Sequence, residues 1–193
     1  MYPVCLQCYE VFDPRIWDWD EDLHLCPRMK CNHAEIFMCD ELMIPIVFVL
    51  NKKGYTTENC CSGHNWYRKE NYWYSDAYVS FDTNVKIPYG PDGFDCRMSS
   101  FEITDGSGNV VLDSDAKPTY KTSLCVRPMW NSRGELPENP TQYDIQKYIC
   151  DINQIILKWA ESLPLSEIKQ QEHLVDIHSR KLDDLYKEQR NEN

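Results

Sequence analysis

Neither a phosphate-binding glycine loop nor a His-Glu-x-x-His metalloprotease motif occurs in the 193 residues, so two familiar encodings of nucleotide and zinc chemistry are absent. There is no internal repeat and no low-complexity segment, which disfavours a solenoid or a linker-like chain. The longest apolar run, 42–50, is too short to cross a bilayer. Met1-Tyr2-Pro3-Val4-Cys5 has neither the basic start nor the apolar stretch of a secretory leader, so a cytoplasmic protein is expected. Positive charge is scarce. Twenty Lys and Arg against 31 Asp and Glu leave −11 at pH 7, which argues against general DNA binding through phosphate neutralisation.

Aromatics are plentiful, with twelve Tyr, six Trp and six Phe, and the length suffices for a real core. The ten cysteines of a cytoplasmic chain point to metal binding, core packing or reactivity before disulfides. Cys5-Leu6-Gln7-Cys8 is a CxxC pair, and Cys26 and Cys31 form a second pair with four residues between. The pairs are separated by 17 residues, within the range of four-thiolate zinc sites, so Cys5, Cys8, Cys26 and Cys31 are the expected zinc ligands. His24, His33 and Cys39 are substitutes for any one of them. The acidic aromatic stretch 13–22, with Trp17 and Trp19, either docks a partner or covers a small core.

The periodicities predict an α+β fold with three parts. Residues 1–39 form a zinc-ribbon-like module, 40–163 an α+β domain, and 164–193 a C-terminal helix and tail. Helices are expected over 42–53 and 140–163, packed on one face of an antiparallel sheet, with strands near 55–60, 76–82, 99–104, 110–113 and 120–127. Asp40 is the expected cap of the first helix, and Asn139-Pro140 begins the long one. Asp105-Gly106-Ser107-Gly108-Asn109 predicts a hairpin over 99–113. Ser166 is placed to cap a final helix with a thin apolar stripe, exposed or packed on a partner, as in a homo-oligomer.

The stretch Asn51-Lys52-Lys53-Gly54-Tyr55-Thr56-Thr57-Glu58-Asn59-Cys60-Cys61-Ser62-Gly63-His64 concentrates the chemistry. Gly54 stops the helix, and two thiols, a hydroxyl, a flexible glycine and an imidazole follow within five residues. Residues 51–100 carry six acidic and six basic side chains, whereas 1–50 carry nine acidic and three basic. Lys52, Lys53, Arg68 and Lys69 thus flank the loop as a candidate basic patch, with solvated surface charge as the plain alternative. Trp66, Tyr72, Trp73 and Tyr74 are able to stack a base or to pack a sheet edge.

Four uses of Cys60 to His64 stand open. Cys60 or Cys61 is a nucleophile activated by His64, with no orienting carboxylate identifiable from the sequence. Cys60, Cys61 and His64 bind metal together with Cys39 or the N-terminal thiols. Ser62, Gly63 and His64 offer donors to an anion, the reading we prefer. The fourth is a structural turn with two core thiols.

Leu50-Asn51-Lys52-Lys53-Gly54-Tyr55 running into Cys60-Cys61-Ser62-Gly63-His64 resembles a module of small bacterial and bacteriophage proteins of unassigned function, several with a Cys-rich ribbon ahead of it. The resemblance covers about residues 1–82. Cys61-Ser62-Gly63 is also similar to the Ser-Cys-Ser-Gly-Arg loop of the methyltransferase family of tRNA wybutosine synthesis, with Cys60 in place of Ser and His64 in place of Arg. A phage origin implies an accessory, counter-defence role that captures a nucleotide signal. The alternatives are a Cys61/His64-dependent or methyltransferase-like enzyme acting on nucleotide or RNA, and an acidic inhibitor that blocks a host protein through 13–22 or the C-terminal helix.

Overall fold

The computed structural model describes residues 1–15, 17, 25–31, 34, 36–68, 71–74, 76–103, 109–129 and 140–171. Its elements are β1 (Tyr2–Cys5), β2 (Glu10–Val11), β3 (Ile36–Cys39), α1 (Ile44–Lys52), β4 (Thr57–Cys61), β5 (Asn65–Arg68), β6 (Asn71–Tyr74), β7 (Tyr78–Phe81), β8 (Phe94–Glu102), β9 (Tyr120–Pro128) and α2 (Gln142–Ser162). Three antiparallel sheets result, ordered β2-β1-β3, β4-β7-β9-β8 and β5-β6. The expected mixture of antiparallel sheet and two principal helices is therefore present.

Helix α1 starts on a 3-10 turn, Glu41–Met43, with Pro45 in its first turn, where a missing N–H matters least. Ile46, Val47 and Leu50 are fully buried, each contributing roughly 1.5–3 kcal/mol of apolar burial. Its end is a Schellman motif. Gly54 takes φ +85°, its N–H donates to Asn51, and the Tyr55 N–H donates to Leu50 over 2.9 Å. A Cβ at Gly54 would lie 2.2 Å from the Ser166 hydroxyl oxygen, a second reason for glycine there.

One apolar core joins Val4 and Cys39 to α1, Tyr55, Val79, Phe81, Val126 and the Ile152, Ile156 and Trp159 stripe of α2. Trp159 meets Phe81 edge-on at 6.4 Å and donates to the Tyr89 carbonyl over 2.8 Å. Cys5, Cys26 and Cys31 form a second, smaller buried cluster. No helix among the described residues is long and apolar enough to cross a membrane.

Several boundaries differ from the sequence expectation. Asp40 stands at the cap position of the 3-10 turn but makes no side-chain capping bond. The long helix is capped by Thr141, whose hydroxyl accepts from the Asp144 N–H while the Asp144 carboxylate takes the Thr141 N–H over 2.8 Å. Strand β8 pairs over nine residues with β9, and 110–112 adds only short bridging contacts. Beyond the end of that ladder the Val111 N–H still reaches the Ile103 carbonyl over 2.8 Å. The turn residues 105–108 of that expected hairpin, like Asn139, lie outside the described residues. Residues 65–68 and 71–74, expected as loop or sheet edge, form a separate ribbon, with Trp66 opposite Trp73 and Tyr67 opposite Tyr72 in register. Ser166 does cap a helical turn at 167–171, accepting from the Lys169 N–H.

Candidate functional site

Two clusters of metal-ligating side chains occur among the described residues. The first is local in sequence. The chain turns tightly after β1, with the Tyr9 N–H on the Cys5 carbonyl at 2.8 Å and Tyr9 at φ +59°. This brings Cys8 back, so that its N–H points at the Cys5 sulfur. In the second pair a 3-10 turn, Met29–Cys31, closes with the Cys31 N–H on the Arg28 carbonyl at 2.9 Å. The Sγ atoms of Cys5 and Cys31 lie 3.8 Å apart, as do those of Cys8 and Cys26. Cys5, Cys26 and Cys31 are buried and Cys8 is half-buried. An Arg28–Glu10 ion pair ties the two knuckles together. Burial opposes ionisation of Cys5, but hydrogen bonds from the Cys8 and Gln7 N–H groups and from the Cys8 and Cys26 thiols together lower its pKa. Burial raises Cys26 and Cys31. These four cysteines lie close enough to hold one metal ion. Cys39 is not in the cluster, and His24 and His33 lie outside the described residues.

The second cluster is assembled from distant parts of the chain. Successive residues of a strand face opposite sides. At the end of β4, Cys60 therefore meets the Cys39 sulfur at 3.7 Å on the core side. Cys61 instead joins Asp40 and His64, the ligand atoms of the three lying within 4.8 Å of one another. The neighbours 39 and 40 are divided in the same way, one to the thiol pair and one to the site. Interaction with the Cys39 thiol, then burial, raises the Cys60 pKa and keeps that thiol neutral.

Ser62 is 7% exposed and fixes the loop. Its N–H and hydroxyl both donate to Asp40 Oδ2, over 3.0 and 3.1 Å. Its carbonyl accepts from the buried Asn153 Nδ2 of α2 over 2.7 Å. Gly63 adopts φ +85° and directs its N–H at the Cys61 sulfur over 3.4 Å. The left-handed backbone explains a glycine at this position. His64 follows with its side chain 58% exposed and Nε2 3.7 Å from Asp40 Oδ2. The loop is thus held by Asp40 from one side and α2 from the other, with the imidazole at the surface.

Two cations of the expected basic flank, Lys52 and Lys53, are held by other parts of the chain. Lys53 Nζ donates to the carbonyls of Ala160, Glu161 and Leu163 at 3.1, 2.5 and 2.5 Å, satisfying the C-terminal end of α2. Lys52 lies over the Tyr9 ring at 4.6 Å. The backbone of Trp66, Arg68 and Trp73 is in the β5-β6 ribbon directly after His64. Their side chains, and all of Lys69, lie outside the described residues. Trp17 packs on Phe12 at 4.9 Å. A cavity of about 630 Å³ lies elsewhere, lined by Gly54, Tyr55, Val85, Pro88, Leu165 and Ile168.

Asp40 and Asn153 are the site residues the sequence did not reveal. Asp40 carried a competing local explanation as a helix cap, and Asn153 sits unremarked within the apolar stripe of α2. Chemically, the cluster offers a thiol, an imidazole and a carboxylate oriented by a buried hydroxyl. Such a set suits proton transfer or metal coordination. No family model, no curated protein and no solved structure matches the chain.

Proposed function

We propose that the chain is a zinc-containing accessory protein whose N-terminal module is a zinc ribbon, and which takes a small anionic, nucleotide-like ligand at the Asp40–Cys61–His64 corner. The S–S separations of 3.8 Å support zinc, because a tetrahedron with Zn–S bonds of about 2.3 Å has edges of about 3.8 Å. Zinc there is structural, with four protein ligands closing the coordination sphere.

One observation carries the ligand reading. The loop is fixed from both sides, yet presents His64 at the surface immediately before the aromatic β5-β6 ribbon. Ser62 gives its two donors to Asp40, so the anion is met at His64 and the ribbon rather than at the Ser62 backbone. A captured nucleotide signal would fit a counter-defence role.

A second reading is favoured by the position of Asp40. It supplies the carboxylate partner that a Cys61/His64-dependent enzyme requires. Calorimetry against mono-, di- and cyclic nucleotides, with chromatography of the recovered ligand, tests both. Intact ligand and at least tenfold weaker binding by His64→Ala are expected for capture, and a converted product for the enzyme. Absence of binding by every nucleotide would overturn the ligand reading.

A further inference from the structure

We infer that Asp40, Cys61 and His64 form a second metal centre, an open three-ligand site for a divalent transition ion of the zinc class. The donors are one carboxylate oxygen, one thiolate and one imidazole nitrogen, all within 4.8 Å of one another. That mixture suits zinc, which takes sulfur, nitrogen and oxygen ligands alike. The 3.7 Å between His64 Nε2 and Asp40 Oδ2 is too long for a hydrogen bond. It lies near the edge of roughly 3.3–3.5 Å expected for two ligands about 2.0–2.1 Å from a tetrahedral ion.

The surroundings are those of an oriented ligand set. Ser62 holds the Asp40 carboxylate through two hydrogen bonds, and the Gly63 N–H points at the Cys61 sulfur. Metal-binding carboxylates and thiolates are commonly positioned by such outer contacts. Asn153, reaching across from α2 to the Ser62 carbonyl, links the loop to the core. Cys60 is turned away to Cys39, so adjacent cysteines are not asked to share one ion.

Binding replaces the Cys61 S–H proton by the metal, releases that proton to solvent, and leaves the oxidation state of both unchanged. With three protein ligands and His64 58% exposed, the fourth position faces solvent. It would take water or an anionic oxygen, such as a phosphate. The inference deepens the ligand reading by naming what meets the anion beside Asp40, and zinc alone tests it separately.

The full chain, freed of metal under reducing conditions, is titrated with zinc and weighed by native mass spectrometry. Two ions per chain are expected. His64→Ala and Cys61→Ser should each keep the first ion and bind the second at least tenfold more weakly, and Ser62→Ala should weaken it about 10–100-fold. Circular dichroism confirms that each variant is folded. Cobalt in place of zinc should give two spectra, one of a four-thiolate centre and one of a centre with a single thiolate. A single ion at saturating zinc, or a second ion unaffected by both His64→Ala and Cys61→Ser, overturns the inference. Two ions without any nucleotide binding would leave the metal centre standing and remove the ligand reading. Nucleotide bound by a chain with one ion would do the reverse.

Discussion

Cys5 and Cys61 are each the last residue of a strand, β1 and β4, yet they enter opposite surroundings. Cys5 is wholly buried among three other cysteines. Cys61 meets a carboxylate that precedes it by 21 positions and an imidazole at the surface. The first environment is enclosed and suits a structural ion. The second has fewer protein donors, mixed chemistry and an exposed edge, and suits exchange with a ligand. Whether a cysteine cluster holds the fold together or meets a ligand thus depends on what completes the shell, not on the thiols.

The largest expected effect breaks the first cluster. Cys8→Ser, or a strong chelator, should lower Tm by roughly 10 °C or more, at about 2–4 °C per kcal/mol for a chain of this size. His64→Ala acts on an exposed side chain and should move Tm far less. Calorimetric melts of the two variants side by side check this. Equal shifts would erase the distinction between a structural and an open site.

Asn153→Ala comes next. Asn153 is buried, and its amide satisfies the Ser62 carbonyl and the Ile149 carbonyl, both at 2.7 Å. Removing it should cost about 1–3 kcal/mol in urea unfolding. Because it also anchors the loop, it should weaken the second metal ion while leaving the first in place. Loss of both ions together would show that the two regions are not separable.

The smallest effect uses a third kind of cysteine, one buried in the sheet. Burial pushes the Cys125 thiol up from 9.0 to about 11. A raised folded pKa means that the stabilisation is fully present below pH 9 and is lost as pH rises from about 9 to about 11. The loss across that window should be about 2 kcal/mol, and Cys125→Ala should remove its share. Urea midpoints measured across that window check the sign. A midpoint that rises with pH would be wrong for a buried neutral thiol.

Much of this arrangement was readable from sequence where the signal was local. The two cysteine pairs sit on short turns, so their spacing alone brought four thiols together. The apolar run ending at Gly54 gave helix α1 and its stop. The stripe of α2 was equally plain, though its cap was missed because Asn139-Pro140 competed with Thr141 and Asp144. What escaped was non-local. The partner of β8 is fixed by a ladder to β9, not by the turn residues nearest to it. Lys53 was read as part of a ligand patch, but it closes the end of a helix more than a hundred residues away. Asp40, directly after β3, reaches the end of β4 across a stretch of chain that contains the whole of α1, a closeness no local pattern announces.

The most direct test is an anomalous-scattering map at the zinc absorption edge from a crystal of the zinc-loaded chain. The account predicts two peaks, one enclosed by the sulfurs of Cys5, Cys8, Cys26 and Cys31, and one bounded by Asp40, Cys61 and His64 with its remaining position toward solvent. A single peak at the four cysteines, with His64 turned away from Cys61, would contradict it.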